Sequence, residues 1–137
     1  MAVTPYLFLD GRCEEAIEFY KKTLGATVGM MMRFKESPDP NSCGAGNENK
    51  VMHACITIND APLMMSDGHA KNAPEFKGFS LSLDAKEAAE GDRMFNALAQ
   101  GGQVQMPLTE TFFAKRFGMV ADKFGVGWMI IAGPKNP

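Results

Sequence analysis

The chain has 137 residues, 45% of them hydrophobic and 22% charged, with a formal net charge of -2. That balance is globular and sized for one domain or two very small halves, which excludes a disordered tail; no apolar run approaches the ~20 residues of a membrane span. Lys and Arg are scattered, so the concentrated basic surface that phosphate neutralisation needs is missing, and no nucleic-acid partner is expected.

Pro5-Tyr6-Leu7-Phe8-Leu9 reads as a short strand, with Asp10-Gly11 as a helix cap. Ala16, Ile17, Phe19, Tyr20 and Leu24 recur at helical spacing over Arg12 to Leu24, and Gly25 is the stop. Ala26 to Phe34 is a second strand with three consecutive methionines, and the polar stretch from Lys35 to Lys50 is a loop. Val51 to Ile58 and Leu63 to Ser66 form a hairpin around Asn59-Asp60-Ala61-Pro62. A polar connection from Asp67 to Lys77 follows, and then the order begins again. Phe79 to Leu83 is a strand, Asp84 and Glu87 make a capping-box variant, and Ala88 to Gln100 is a helix stopped by Gly101-Gly102. Strands at Val104 to Leu108, Phe117 to Asp122 and Trp128 to Ile131 complete the chain.

This order is an internal repeat. Tyr6 to Asp10 matches Ser80 to Asp84 at an offset of 74, Gly25-x-x-Val28 matches Gly101-x-x-Val104 at 76, and Leu63 to Gly68 matches Trp128 to Gly133 at 65. The expectation is an α+β protein of two βαβββ modules, residues 1–70 and 76–137. Together they form a curved eight-stranded mixed sheet around a cleft, with the helices on the outer face.

Specific residues carry a family likeness. They are Pro5-Tyr6-Leu7-Phe8, Glu15 to Tyr20 with Leu24-Gly25-Ala26, Val51-Met52-His53-Ala54 and Met65-Ser66-Asp67-Gly68. In the second half they are Pro107 to Phe112, Arg116 to Val120 and Asp122 to Val126. In these runs the chain resembles the vicinal-oxygen-chelate superfamily, which includes glyoxalase I, bleomycin-resistance proteins and extradiol dioxygenases, and within it the PhnB-like branch. Members of that branch usually carry Trp and Gly where this chain has Phe113 and Ala114. The resemblance implies a small cytoplasmic homodimer. It implies no particular reaction, and no Gly-rich strand-to-helix turn for a nucleotide cofactor is present to support the methyltransferase-like names given to members.

Metal-using members of the superfamily take His and Glu ligands from the first and last strands of each half. Those strands here offer Thr4, Pro5, Tyr6, Phe79, Ser80 and Ser82, then Ser66, Asp67, Ile131 and Ala132. No cofactor is therefore expected, and a divalent metal would need a non-standard set around His53. Under a two-residue turn at Asp60-Ala61, His53 and Asp67 fall on opposite faces of their hairpin.

Candidate site residues follow from alternation. Met52, Ala54, Ile56 and Ile58 pack under a helix, which turns His53, Cys55 and Thr57 toward the cleft. His53 is either a hydrogen-bonded, half-buried histidine or an acid/base group. Cys55 is a small buried hydrophobe or a thiol lining the cleft. Asp67 either meets a polar group of a ligand or forms a turn with Gly68, and His69 is read as solvated. Thr109, Thr111 and Phe113 share a face by alternation and line the cleft if that face is inward. Lys115 and Arg116 are anion holders or ordinary surface charges. The three cysteines, Cys13, Cys43 and Cys55, form no CxxC pair and read as reduced thiols. The N-terminal Met1 to Pro5 has neither the basic nor the apolar part of a signal peptide, so a cytoplasmic location is expected. Two functions stand: a metal-free protein binding a small aromatic or amphipathic molecule in the cleft, or a small-molecule enzyme using His53 as acid/base or as a non-standard metal ligand.

Overall fold

A computed structural model describes residues 2–38, 46–68 and 74–135. The expectation for His69 lies outside these residues, as do Cys43 and much of the loop expected over 35–50. The chain divides into two compact units, Met1–Pro74 and Glu75–Pro137.

The first unit runs β1 (Tyr6–Phe8), α1 (Cys13–Leu24), β2 (Thr27–Arg33), a short 3-10 turn (Phe34–Glu36), β3 (Val51–Ile58) and β4 (Ala61–Ser66). Its sheet has the order β1-β4-β3-β2, with β1 parallel to β4 and the other pairs antiparallel. The second unit repeats this with β5 (Leu81–Ala85), α2 (Ala88–Ala99), β6 (Gln103–Thr109), β7 (Ala114–Ala121) and β8 (Gly127–Pro134), in the order β5-β8-β7-β6. The protein is thus an α+β chain of two βαβββ modules with eight strands, as the repeat predicts.

Each module buries one face of its sheet under its own helix. In the first, Ala16, Ile17, Tyr20 and Leu24 of α1 are buried, as are Leu7, Ala54, Ile56, Leu63 and Met65 of the strands. In the second, Met94, Phe95 and Leu98 of α2 are buried, with Leu83, Val120, Trp128 and Ile130 from the sheet. Gly25 ends α1 in the left-handed conformation, as read from the sequence.

Three local expectations need correction. First, β5 begins two residues later than expected. Parallel pairing sets Tyr6 against Met64 and Ser82 against Met129, so the first strands match at an offset of 76, the same as the Gly25/Gly101 pair. Asp84 therefore lies inside the strand and caps nothing; Glu87 is the N-cap residue of α2, with no side-chain cap bond. Second, the β3–β4 turn is Asn59-Asp60, both at positive φ (48° and 67°), and not Asp60-Ala61. This moves the pairing by two positions, an even shift, so His53 and Asp67 still point to opposite faces. Third, residues 110–113 form the β6–β7 turn, so strand alternation does not extend through Thr111 and Phe113.

Candidate functional site

The helix-free face of the first module's sheet is where the structure gathers chemistry. Leu7 points into the core, so its neighbours Tyr6 and Phe8 point out, with relative exposures of 36% and 51%. On β3 His53, Cys55 and Thr57 are half-exposed and alternate with buried Ala54, Ile56 and Ile58, whereas Met52, expected under the helix with them, is half-exposed next to buried Val51, where the pairing with β2 shifts register. Met64 pairs Tyr6 and Cys55 on either side, and Met30 and Met32 pair Cys55 and His53 from β2. An aromatic and thioether face thus surrounds one imidazole.

The imidazole has a specific partner. The Tyr6 hydroxyl lies 2.8 Å from His53 Nδ1, and the two rings are 5.5 Å apart at 33°. Phe8 stacks on Tyr6 at 4.9 Å and 28°. Burial raises the Tyr6 phenol above its ordinary value, partly offset by the nearby Ser66 hydroxyl, so it stays protonated at neutral pH. Among the described residues, His53 Nε2 has no hydrogen-bond partner.

Of the residues expected at the site, His53 and Cys55 come together. Thr57 shares their face but stands four residues from His53, roughly 13 Å along the strand. Thr109, Thr111 and Phe113 belong to the second module. Thr109 is exposed opposite Phe117 at the end of β6. Thr111 Oγ1 accepts the amides of Phe113 and Ala114 at 3.3 and 3.0 Å, so it shapes the hairpin turn. Phe113 packs edge-on against Phe117 at 5.4 Å. Arg116 pairs with Asp92 at 2.9 Å and is engaged within the module.

The expectation of a ligand contact at Asp67 is corrected. Its side chain is only 2% exposed. Oδ1 accepts the amides of Gly11 and Cys13 at 2.7 and 2.9 Å, and Oδ2 accepts that of Val51 at 2.8 Å. Asp67 also supplies the α1 cap that Asp10 was expected to give. Asp122, also 2% exposed, acts locally in the second module: it takes the amides of Phe124 and Val126 and the Trp128 indole N–H around the β7–β8 turn.

Sequence reading missed Tyr6 as a site residue. The signal was there: alternation in Tyr6-Leu7-Phe8-Leu9 sends Tyr6 and Phe8 to the face that His53 occupies. The second module has no such pair. The registers place Ser82 where Tyr6 stands and Phe117 where His53 stands. It does hold a cavity of about 510 Å³ against Phe79, Gln105, Met119 and Met129, apolar apart from the amide and nearby Lys77 and Ser80.

On the first and last strands of each module, the helix-free faces hold Tyr6 and Phe8, Met64 and Ser66, Ser82 and Asp84, and Met129 and Ile131. Only Asp84 is a strong donor. Among the described residues no three of His, Cys, Asp and Glu group together. This donor set does not suit a catalytic metal, which takes at least three such ligands.

A protein-family model described as 3-demethylubiquinone-9 3-methyltransferase matches residues 1–131. The chain belongs to this PhnB-like family. It is 37% identical to protein YjdN of Escherichia coli strain K12, over all of this chain and 99% of that one. Protein PA1353 of Pseudomonas aeruginosa is 44% identical, with a TM-score of 0.85 over 96% of this chain and 97% of that one. The PhnB protein of Bacillus cereus is 32% identical, with a TM-score of 0.81 over 96% and 99%. The PhnB-like chain also shares its fold with a glyoxylase/bleomycin resistance protein/dioxygenase domain from Frankia, at 14% identity and a TM-score of 0.63 over 100% and 95%. At that identity the likeness is one of fold alone.

Proposed function

We propose that this protein binds a small aromatic or amphipathic molecule on the helix-free face of its first sheet, without the superfamily's His/Glu metal, as a cytoplasmic homodimer. The observation that carries the reading is the Tyr6–His53 hydrogen bond, set among exposed Phe8 and the Met30, Met32 and Met64 thioethers. Ligand sites are mostly apolar with a few convergent polar groups, and Met surfaces adapt to varied ring shapes.

The methyl transfer in the family's description receives no support from the residues. A doubly wound nucleotide-binding sheet is largely parallel and opens on a Gly-rich turn, whereas each module here has one parallel pair. The β1–α1 connection has a single glycine, Gly11, whose amide is spent on Asp67. The β5–α2 connection, Lys86-Glu87, has none.

A second reading, His53 as acid or base, is favoured by its Nε2, which has no hydrogen-bond partner among the described residues while Tyr6 orients its Nδ1. The two readings part on whether a bound compound is recovered unchanged. Binding is tested by titrating methyl-13C-Met protein with coumarin. The expected result is shifts of the Met30, Met32 and Met64 methyl signals that saturate together; shifts confined to other methionines would contradict the reading.

A further inference from the structure

Three rings line up on the open face: Phe8 on Tyr6 at 4.9 Å, and Tyr6 beside His53 at 5.5 Å. Three hydrogen bonds lie beneath them. The Gly68 amide, which can only donate, gives its proton to Ser66 Oγ at 2.8 Å. The Ser66 hydroxyl must then send its own proton elsewhere. It gives it to the Val51 carbonyl, 3.4 Å away. With Ser66 committed to the Val51 carbonyl, the acceptor left for the acidic Tyr6 phenol proton is the basic His53 Nδ1, 2.8 Å away.

We propose that Tyr6 is a positioning residue that donates to His53 Nδ1, keeps the imidazole proton on Nε2, and makes the face select flat aromatic molecules bearing a carbonyl oxygen. This rests on the binding reading of the same face and adds the chemical class. A neutral imidazole presents one N–H and one bare nitrogen, and the hydrogen bond on one decides the other. With Nδ1 filled by the phenol, Nε2–H is a fixed donor that faces out of the sheet plane with no protein partner among the described residues. A carbonyl oxygen satisfies it. An amine or ammonium on the same ring brings a second donor against it and is rejected, because site and ligand donors both go unpaired. The ring of the ligand extends the Phe8–Tyr6–His53 row, where offset stacking adds to apolar burial.

Two measurements test this. Nitrogen-15 spectra of the neutral His53 ring should show the proton on Nε2 alone, with the bias reduced in Tyr6→Phe, which keeps the ring and removes the donor. Coumarin should then bind about fivefold tighter than 2H-chromene, the matching ring system without the carbonyl, as one added hydrogen bond provides. That preference should shrink to within about twofold in Tyr6→Phe. A wild-type ring protonated on Nδ1, which needs no variant to detect, or a preference that survives Tyr6→Phe, would overturn the proposal. If both compounds shift His53 equally, binding at this face stands and the carbonyl selectivity falls. If neither shifts His53 or the neighbouring Met methyls, both fall.

Discussion

Asp67 joins three separate places in the chain: the β1–α1 turn at Gly11, the first residue of α1 at Cys13 and the first residue of β3 at Val51. All three bonds are charge-assisted, those to Cys13 and Val51 buried and that to Gly11 part-buried, and removing the carboxylate strands three amides at once. Asp67→Ala should destabilise the protein by about 3 kcal/mol or more in denaturant unfolding, whereas exposed Asp84→Ala should stay within about 0.5 kcal/mol. Equal effects would refute the clamp. Cys13 lies directly beneath, fully buried. Burial first, then the nearby Asp67 charge, pushes its thiol from the ordinary 9.0 up to about 12. The folded state thus holds a proton that the unfolded state releases. The stabilisation is complete below pH 9 and is lost as pH rises from there toward 12. Cys13 should resist alkylation at pH 8 in the native protein and react once the protein is unfolded; peptide mass mapping distinguishes the outcomes, and rapid native labelling at Cys13 would contradict its burial. The sequence made Asp67 look like a strand-end residue beside a turn glycine. Its partners lie 16 to 56 residues away, and nothing local announces them.

At the scale of elements, α2 is held to its sheet by a close approach. A Cβ at Gly91 would lie 2.4 Å from the Ala132 Cβ, a short, rigid side chain that cannot swing aside. Gly91→Ala should therefore cost roughly 1–3 kcal/mol by overpacking, against the ~1 kcal/mol that alanine's helix propensity returns. Adding Ala132→Gly should recover most of the loss. A stabilised Gly91→Ala single variant would contradict this packing. Helices and most strands were legible because their apolar spacing is regular and Gly25 and Gly101 end the helices cleanly. The β5 boundary was not. Phe79 and Ser80 continue the apolar-polar alternation of Leu81 to Leu83, so only the parallel pairing with β8 reveals that the strand runs from Leu81 to Ala85. The β6–β7 turn was hidden in a similar way, because Thr109, Thr111 and Phe113 mimic a strand while Thr111 caps the bend.

Across the whole molecule, the duplication was readable from three short matches in order, while the site was readable only in part. His53 and Cys55 were placed on the helix-free face by alternation within one strand; the Tyr6 contact crosses from β1 to β3, and single-strand patterns carry no such information. The modules have since diverged in chemistry: Tyr6 and His53 in one stand where Ser82 and Phe117 stand in the other. They remain alike at their edges. β2 and β6 are edge strands with exposed apolar residues at matching places, Val28 and Met30 in one and Val104 and Met106 in the other. Exposed apolar edges favour pairing with another chain. Light scattering at micromolar concentration should give the mass of two chains, and Met30→Lys with Met106→Lys should lower it toward one. A wild-type monomer would contradict the homodimer.

On the proposed reading, side chains alone hold an aromatic molecule at the Tyr6–His53 face. The coumarin titration of Met-methyl-labelled protein, run before and after exhaustive treatment with chelator, tests it most directly. The expected result is the same affinity in both states, with Met30, Met32 and Met64 responding. Binding that disappears with chelator and returns with one equivalent of zinc, nickel, manganese or iron would contradict it.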